Sequence, residues 1–143
     1  QGCQSNELHF FDSLDVACES AEVDLVFASG SVQYTPQPYD VLKSLASINA
    51  KILMISRTPI TDSPCVIIQR TKISENGLGE IPKELEINDR VVSYPVTMMD
   101  RKRVEEILTK FGEIHLKISE DKAAYRSDKG SYDMWGYIVS KVN

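Results

Sequence analysis

Two apolar runs flank one amphipathic stretch, and that spacing constrains the fold more than any other feature of the sequence. Val23-Asp24-Leu25-Val26-Phe27-Ala28 is nearly continuous in apolar residues, as is Lys51-Ile52-Leu53-Met54-Ile55-Ser56. Such runs predict strands of a parallel sheet, where both faces are covered. Between them Tyr39, Leu42, Leu45 and Ala46 recur at helical spacing. Strand, helix and strand in that compass form a βαβ unit with a right-handed crossover.

The rest of the chain extends this unit. Leu8-His9-Phe10-Phe11 predicts a short first strand. Leu14, Cys18 and Ala21 then predict a helix, with Asp12 as a candidate N-cap and Asp15 in its first turn. Pro59 is expected to end the second buried strand at Arg57-Thr58-Pro59. Cys65–Arg70 predicts a third strand, an excursion from the main sheet. Residues 72–90 form a polar stretch with Gly77, Gly79 and Pro82, read either as a lid or as disorder. Val91–Pro95 is expected to lead into a helix with Asp100 as N-cap, a stripe of Val104, Ile107, Leu108 and Phe111, and a stop at Gly112. Its first turn carries Arg101, Lys102 and Arg103, read as a solvated face or as a contact for a substrate anion. Glu113–Ser119 alternates as a strand, Asp121–Asp133 is expected as a charged loop, and Met134–Val139 is the last strand, antiparallel to the one before. The expected class is α/β: one domain over residues 1–143, a mixed sheet with a terminal antiparallel strand pair, and helices on both sides in three α/β/α layers.

Composition bounds the partners. The net charge is −5 and no concentrated basic face is apparent, which argues against nucleic acid. No apolar run reaches the roughly 20 residues of a membrane helix. Cys3, Cys18 and Cys65 match no metal spacing, so we expect free thiols in the cytoplasm and no metal site. His9 and His115 fall in expected strands and are read as structural.

Ligands of open parallel sheets bind beyond the carboxyl ends of the strands. Three such ends are legible: Phe11-Asp12-Ser13-Leu14, Ser29-Gly30-Ser31 leading to Gln33-Tyr34, and Ser56-Arg57-Thr58-Pro59. Asp12 can accept from an amine or hydroxyl, or serve only as a cap. Gly30 permits close approach of a ligand to the backbone, or marks only a turn. Gln33 offers a donor and an acceptor; Tyr34 offers a ring face and a hydroxyl, or only packing. Arg57 can grip a carboxylate, or form a surface ion pair.

Together these segments resemble a bacterial family assigned as S-adenosylmethionine-dependent methyltransferases. The shared pattern is F-F-D-S-L, S-G-x-x-Q-Y, R-T-P, a downstream Gln and Y-P. Here it falls on Phe10–Leu14, Ser29–Tyr34, Arg57–Pro59, Gln69 and Tyr94-Pro95. The resemblance implies a partial class I methyltransferase (Rossmann-like) sheet. It implies Asp12, Ser13, Leu14, Ser29 and Gly30 as cofactor contacts, and Gln33, Tyr34 and Arg57 as the catalytic, acceptor-positioning residues for a small-molecule substrate. One departure matters: Gly2 is the only glycine before Gly30, so the glycine-rich turn that would grip the cofactor is missing. The chain therefore reads as the C-terminal portion of such a domain. S-adenosylmethionine is expected to bind only with an upstream half present. The alternative is a non-catalytic relative that forms a homodimer or binds a partner.

Overall fold

A computed structural model of the chain describes residues 7–75 and 90–141. The elements run α1 (Leu14–Ser20), β1 (Leu25–Ser29), a 3-10 turn (Val32–Tyr34), α2 (Pro38–Ser47), β2 (Ile52–Thr61), β3 (Cys65–Lys72), a second 3-10 turn (Ile73–Glu75), β4 (Val91–Asp100), α3 (Arg101–Phe111), β5 (Glu113–Ser127) and β6 (Gly130–Ser140). The fold is α/β, with a mixed six-stranded sheet.

The βαβ unit forms as expected. β1 runs parallel to β2 from Leu25 opposite Ile52 to Ser29 opposite Ser56. Pro38 opens α2 at the first helical position, where its missing N–H costs nothing. β6 lies antiparallel on the other edge of β2, and β5 pairs with β6 as the outer strand. Past Ser56 the β1 edge of β2 is taken over by β4, which joins in parallel at Ile60–Met99 and Thr61–Asp100. β3 pairs antiparallel with β4. The β2 edge therefore changes partner between Ser56 and Ile60, which opens a gap beyond the carboxyl end of β1.

The larger core cluster lies on one face of the sheet, and a smaller one of Val96, Met98, Tyr125 and Tyr132 joins β4 to the β5–β6 hairpin. Leu42 of α2 and Val104, Ile107, Leu108 and Phe111 of α3 pack with Val26, Ala28, Leu53, Ile55, Tyr137 and Val139 of the sheet. Each fully buried aliphatic here contributes about 1.5–3 kcal/mol. On the other face Leu25, Phe27 and Ile52 stay about half exposed, as do Leu116 and Ile118 of β5. The third helix, α1, buries none of its residues.

Several expectations are corrected. Leu8–Phe11 forms no strand: Phe10 is 61% exposed, and no described strand pairs with it. His9 is thus not a strand residue. The cap of α1 is Ser13, whose Oγ accepts from Val16 N at 3.3 Å, and not Asp12. β2 continues through Pro59 to Thr61, and β4 runs through Pro95 to Asp100 where a helix was expected sooner. Both prolines lie on stretches with a strand partner on one side only, where a missing N–H leaves no ladder incomplete. The stretch 121–133 is no loop but the far half of the β5–β6 hairpin, turning between Ser127 and Gly130.

Of the cations opening α3, Lys102 and Arg103 are exposed, as a solvated face would have them, while Arg101 pairs with Asp62 through Nε at 3.1 Å. Arg101 Cζ lies 4.2 Å from the Trp135 ring centroid and Arg103 Cζ 3.8 Å from that of Tyr39. Asp100 caps the helix, accepting from Arg103 N at 2.8 Å. Of the polar stretch 72–90, Lys72 ends β3, and Ile73 N donates to Arg90 O at 3.3 Å. The lid expectation over 76–89 lies outside the described residues.

Candidate functional site

The gap beside β2 opens into a cavity of about 750 Å³, within the range of small-molecule sites. Ser29, Gly30, Gln33 and Tyr34 line it from the end of β1 and the turn that follows. Arg57 enters from β2, Gln69 from β3, and Tyr94 with Pro95 from β4. Ala124, Tyr125 and Met134 close it from the hairpin.

Gly30 stands at the rim with φ +56°, a conformation costly for any side-chain-bearing residue, and its N–H donates to Ser56 O at 2.9 Å. Arg57 adopts φ +52° although it is not glycine. A non-glycine residue held there stores about 1–3 kcal/mol of strain and requires its surroundings to impose it. Both of its backbone polar groups are gripped by side chains. Glu120 Oε2 accepts from Arg57 N at 2.5 Å while Glu120 Oε1 accepts from Ser56 Oγ at 2.9 Å. On the other side Gln33 Nε2 donates to Arg57 O at 3.2 Å. This is also where the β2–β6 register shifts, between Ile55 and Thr58. The carboxylate of Glu120 therefore supplies the partner that the interrupted ladder does not.

Gln33 is 1% exposed. Its amide orientation follows from the bond to Arg57 O, which leaves the buried Oε1 without a partner among the described residues. Gln69 Oε1 is likewise buried without a partner among the described residues. The Tyr34 and Tyr125 hydroxyls meet at 2.9 Å, and the Tyr34 ring meets Tyr94 edge to face at 5.6 Å. Burial pushes the Tyr125 phenol well above the ordinary tyrosine range, reinforced by the bond with Tyr34, so it stays protonated at neutral pH. Arg57 carries the only formal charge among the described lining residues.

Of the residues singled out from sequence, Ser29, Gly30, Gln33, Tyr34 and Arg57 meet here. Asp12, Ser13 and Leu14 do not. All three are exposed, Ser13 is occupied as a helix cap, and Leu14 lines a separate recess with Ser44 and Ser47 of α2 and with Ile48 just beyond it. Glu120 and Tyr125 were not anticipated, because the hairpin was read as ending near Ser119. The legible signal was Gly136: a glycine inside a strand marks close approach by a neighbour, and the neighbour is the Glu120 carboxylate.

A larger recess, about 1120 Å³, lies at the amino ends of β1 and β2. Its charges are satisfied in part by the exposed Lys51–Asp24 pair at 2.6 Å, and it holds no buried acceptor lacking a partner among the described residues. Among the described residues no three His, Cys, Asp or Glu side chains come together as a metal site. No described helix is long and apolar enough to cross a membrane.

No protein-family model matches the chain, and no curated protein does. Among solved structures, the N-terminal domain of EvdMO1 with SAH bound aligns over 87% of this chain and 48% of its own, at 18% identity and a TM-score of 0.47. The same domain in the presence of SAH and D-fucose aligns over 87% and 50%, at 18% identity and a TM-score of 0.46. The chain thus spans about half the length of the solved structures it matches.

Proposed function

We propose that this chain is the C-terminal, acceptor-binding part of an S-adenosylmethionine-dependent methyltransferase-like domain acting on a small molecule. One observation carries the reading. Four of the five segments of the family pattern contribute to a single cavity: Ser29, Gly30, Gln33 and Tyr34 from the first, Arg57 from the second, then Gln69, then Tyr94 with Pro95. They come from four different strands or their ends, and packing alone gives no reason for polar side chains so far apart in sequence to share a lining.

Gln33, Tyr34 and Arg57 are the residues we assign to positioning the acceptor, which is where such a reaction gains most from the protein. The F-F-D-S-L segment does not join them. Asp12, Ser13 and Leu14 are exposed and away from the cavity, and no glycine-rich turn accompanies them. The described residues therefore do not form a complete cradle for the cofactor, and cofactor binding is assigned to additional sequence.

The test is calorimetric titration of S-adenosylhomocysteine into this chain and into a chain extended by any residues encoded upstream of Gln1. Heat of binding in the extended chain alone supports the reading. Silence in both removes methyl transfer and leaves a binding domain.

The exposed sheet face of Leu25, Phe27, Ile52, Leu116 and Ile118 favours a second reading, a non-catalytic module that associates through this face. Sedimentation velocity decides it: a concentration-dependent dimer lost in Phe27→Ser supports it, and a monomer at all concentrations refutes it.

A further inference from the structure

Arg57 occupies a backbone conformation that suits glycine better than arginine. At φ +52° a side chain brings strain that glycine avoids. Two other side chains hold the residue there: Glu120 accepts from Arg57 N, and Gln33 donates to Arg57 O. Departures of this kind from local preference cluster at functional sites. What arginine adds over glycine at this position is a guanidinium.

That guanidinium is unengaged. It makes no ion pair, hydrogen bond or ring contact with a described residue, whereas Arg101 pairs with Asp62 and Arg103 lies over Tyr39. Arg57 is exposed and lines the cavity, and its Cβ would lie 3.7 Å from a Cβ built on Gly30, another lining residue. The stem of the side chain thus stands at the rim, and its head is free to turn to an occupant.

Charge narrows the occupant. Arg57 is the one formal charge among the described lining residues. One guanidinium balances one negative charge, and its planar fork of donors matches a carboxylate. A phosphate monoester carries close to two charges and would find no second cation among the described lining residues. An amino acid would bring an ammonium, with no carboxylate in that lining to meet it. Tyr94, Pro95, Ala124 and Met134 offer an apolar wall to the rest of the ligand.

We propose that the cavity takes a small molecule with one carboxylate and an apolar body, the carboxylate pairing with the Arg57 guanidinium. As the identity of the methyl acceptor this rests on the reading above; as a statement about binding it does not.

The experiment is a proton–nitrogen NMR titration of the intact chain with benzoate and cyclohexanecarboxylate, each beside its neutral amide, and with phenyl phosphate and L-methionine. At least one of the two carboxylates is expected to shift the Gly30 amide and the Arg57 Nε–H, and to bind about tenfold or more tightly than its amide. Its affinity should fall as salt is raised, while that of the amide stays level. Arg57→Gly is expected to bind the carboxylate no better than the amide. Glycine accepts the local conformation without strain, so this variant should unfold at a urea concentration no lower than the parent, which separates lost binding from lost folding.

Absence of cavity shifts from both carboxylates would overturn the proposal. So would equal binding of acid and amide, a preference for phenyl phosphate or L-methionine, or an Arg57→Gly dissociation constant for the carboxylate within about twofold of the parent. An Arg57→Gly unfolding midpoint below that of the parent would remove the strain from which the inference starts. Carboxylate binding with no S-adenosylhomocysteine binding in any chain leaves this inference standing and removes methyl transfer. S-adenosylhomocysteine binding with no preference for acid over amide keeps methyl transfer and removes the acidic acceptor.

Discussion

Replacing Gly136 by alanine should destabilise the protein, yet the same replacement should stabilise it once Glu120 is gone. A Cβ at position 136 would lie 2.8 Å from Glu120 Oε1 and 2.9 Å from its Cδ. Those atoms end a flexible side chain, so the carboxylate gives way rather than the strand. In moving it loses the bonds to Ser56 Oγ and Arg57 N. Hydrogen bonds to charged groups are worth about 1.5–3 kcal/mol each, and exposure of this carboxylate puts the pair nearer 2 kcal/mol in total. Alanine recovers about 0.5 kcal/mol because glycine is a poor strand residue.

The worked values are therefore losses of about 1.5 kcal/mol for Gly136→Ala and about 2 kcal/mol for Glu120→Ala. In the Glu120→Ala background Gly136→Ala should gain about 0.5 kcal/mol, a coupling of about 2 kcal/mol. Equilibrium urea unfolding followed by the single tryptophan, Trp135, reads all four species. If Gly136→Ala costs the same in both backgrounds to within about 0.5 kcal/mol, Glu120 does not occupy the space above Gly136 and its role in holding Arg57 is wrong.

Three further outcomes are expected. Gly112→Ala should abolish cooperative folding or cost more than about 4 kcal/mol by thermal unfolding, since its Cβ would fall 1.8 Å from the backbone oxygen of Ser140 at the α3–β5 junction and nothing flexible can yield. Asp100→Ala should cost about 1 kcal/mol in urea by removing the cap of α3, with Asp100→Ser recovering most of it. Stability should fall as pH rises above about 10, where the unfolded chain ionises its tyrosines while Tyr125 and Tyr137 resist, because burial raises both phenols in the fold and the unfolded state then binds fewer protons. An alkaline absorbance titration should accordingly show Tyr125 and Tyr137 among the late-ionising tyrosines, and Tyr137→Phe should flatten part of the slope.

What the sequence by itself determined is what neighbouring residues decide. The βαβ unit, the stripe of α3 between Asp100 and Gly112, and the antiparallel terminal strands follow from periodicity and capping, whose reach is a few residues. The cluster of Ser29, Gly30, Gln33, Tyr34 and Arg57 follows too, because parallel strands bring their carboxyl ends to one place. The tertiary structure alone decided the rest. Whether Pro59 and Pro95 break a strand depends on whether a second strand claims the N–H they lack, which is a fact about the sheet and not about the proline. Phe10 and Phe11 are as apolar as any strand residue, yet no described strand pairs with them. Glu120 reaches Arg57 across β6 because a glycine happens to lie opposite, a register set by the whole hairpin. Contacts between residues 63 positions apart are chosen by packing free energy summed over the sheet, and no local pattern encodes them.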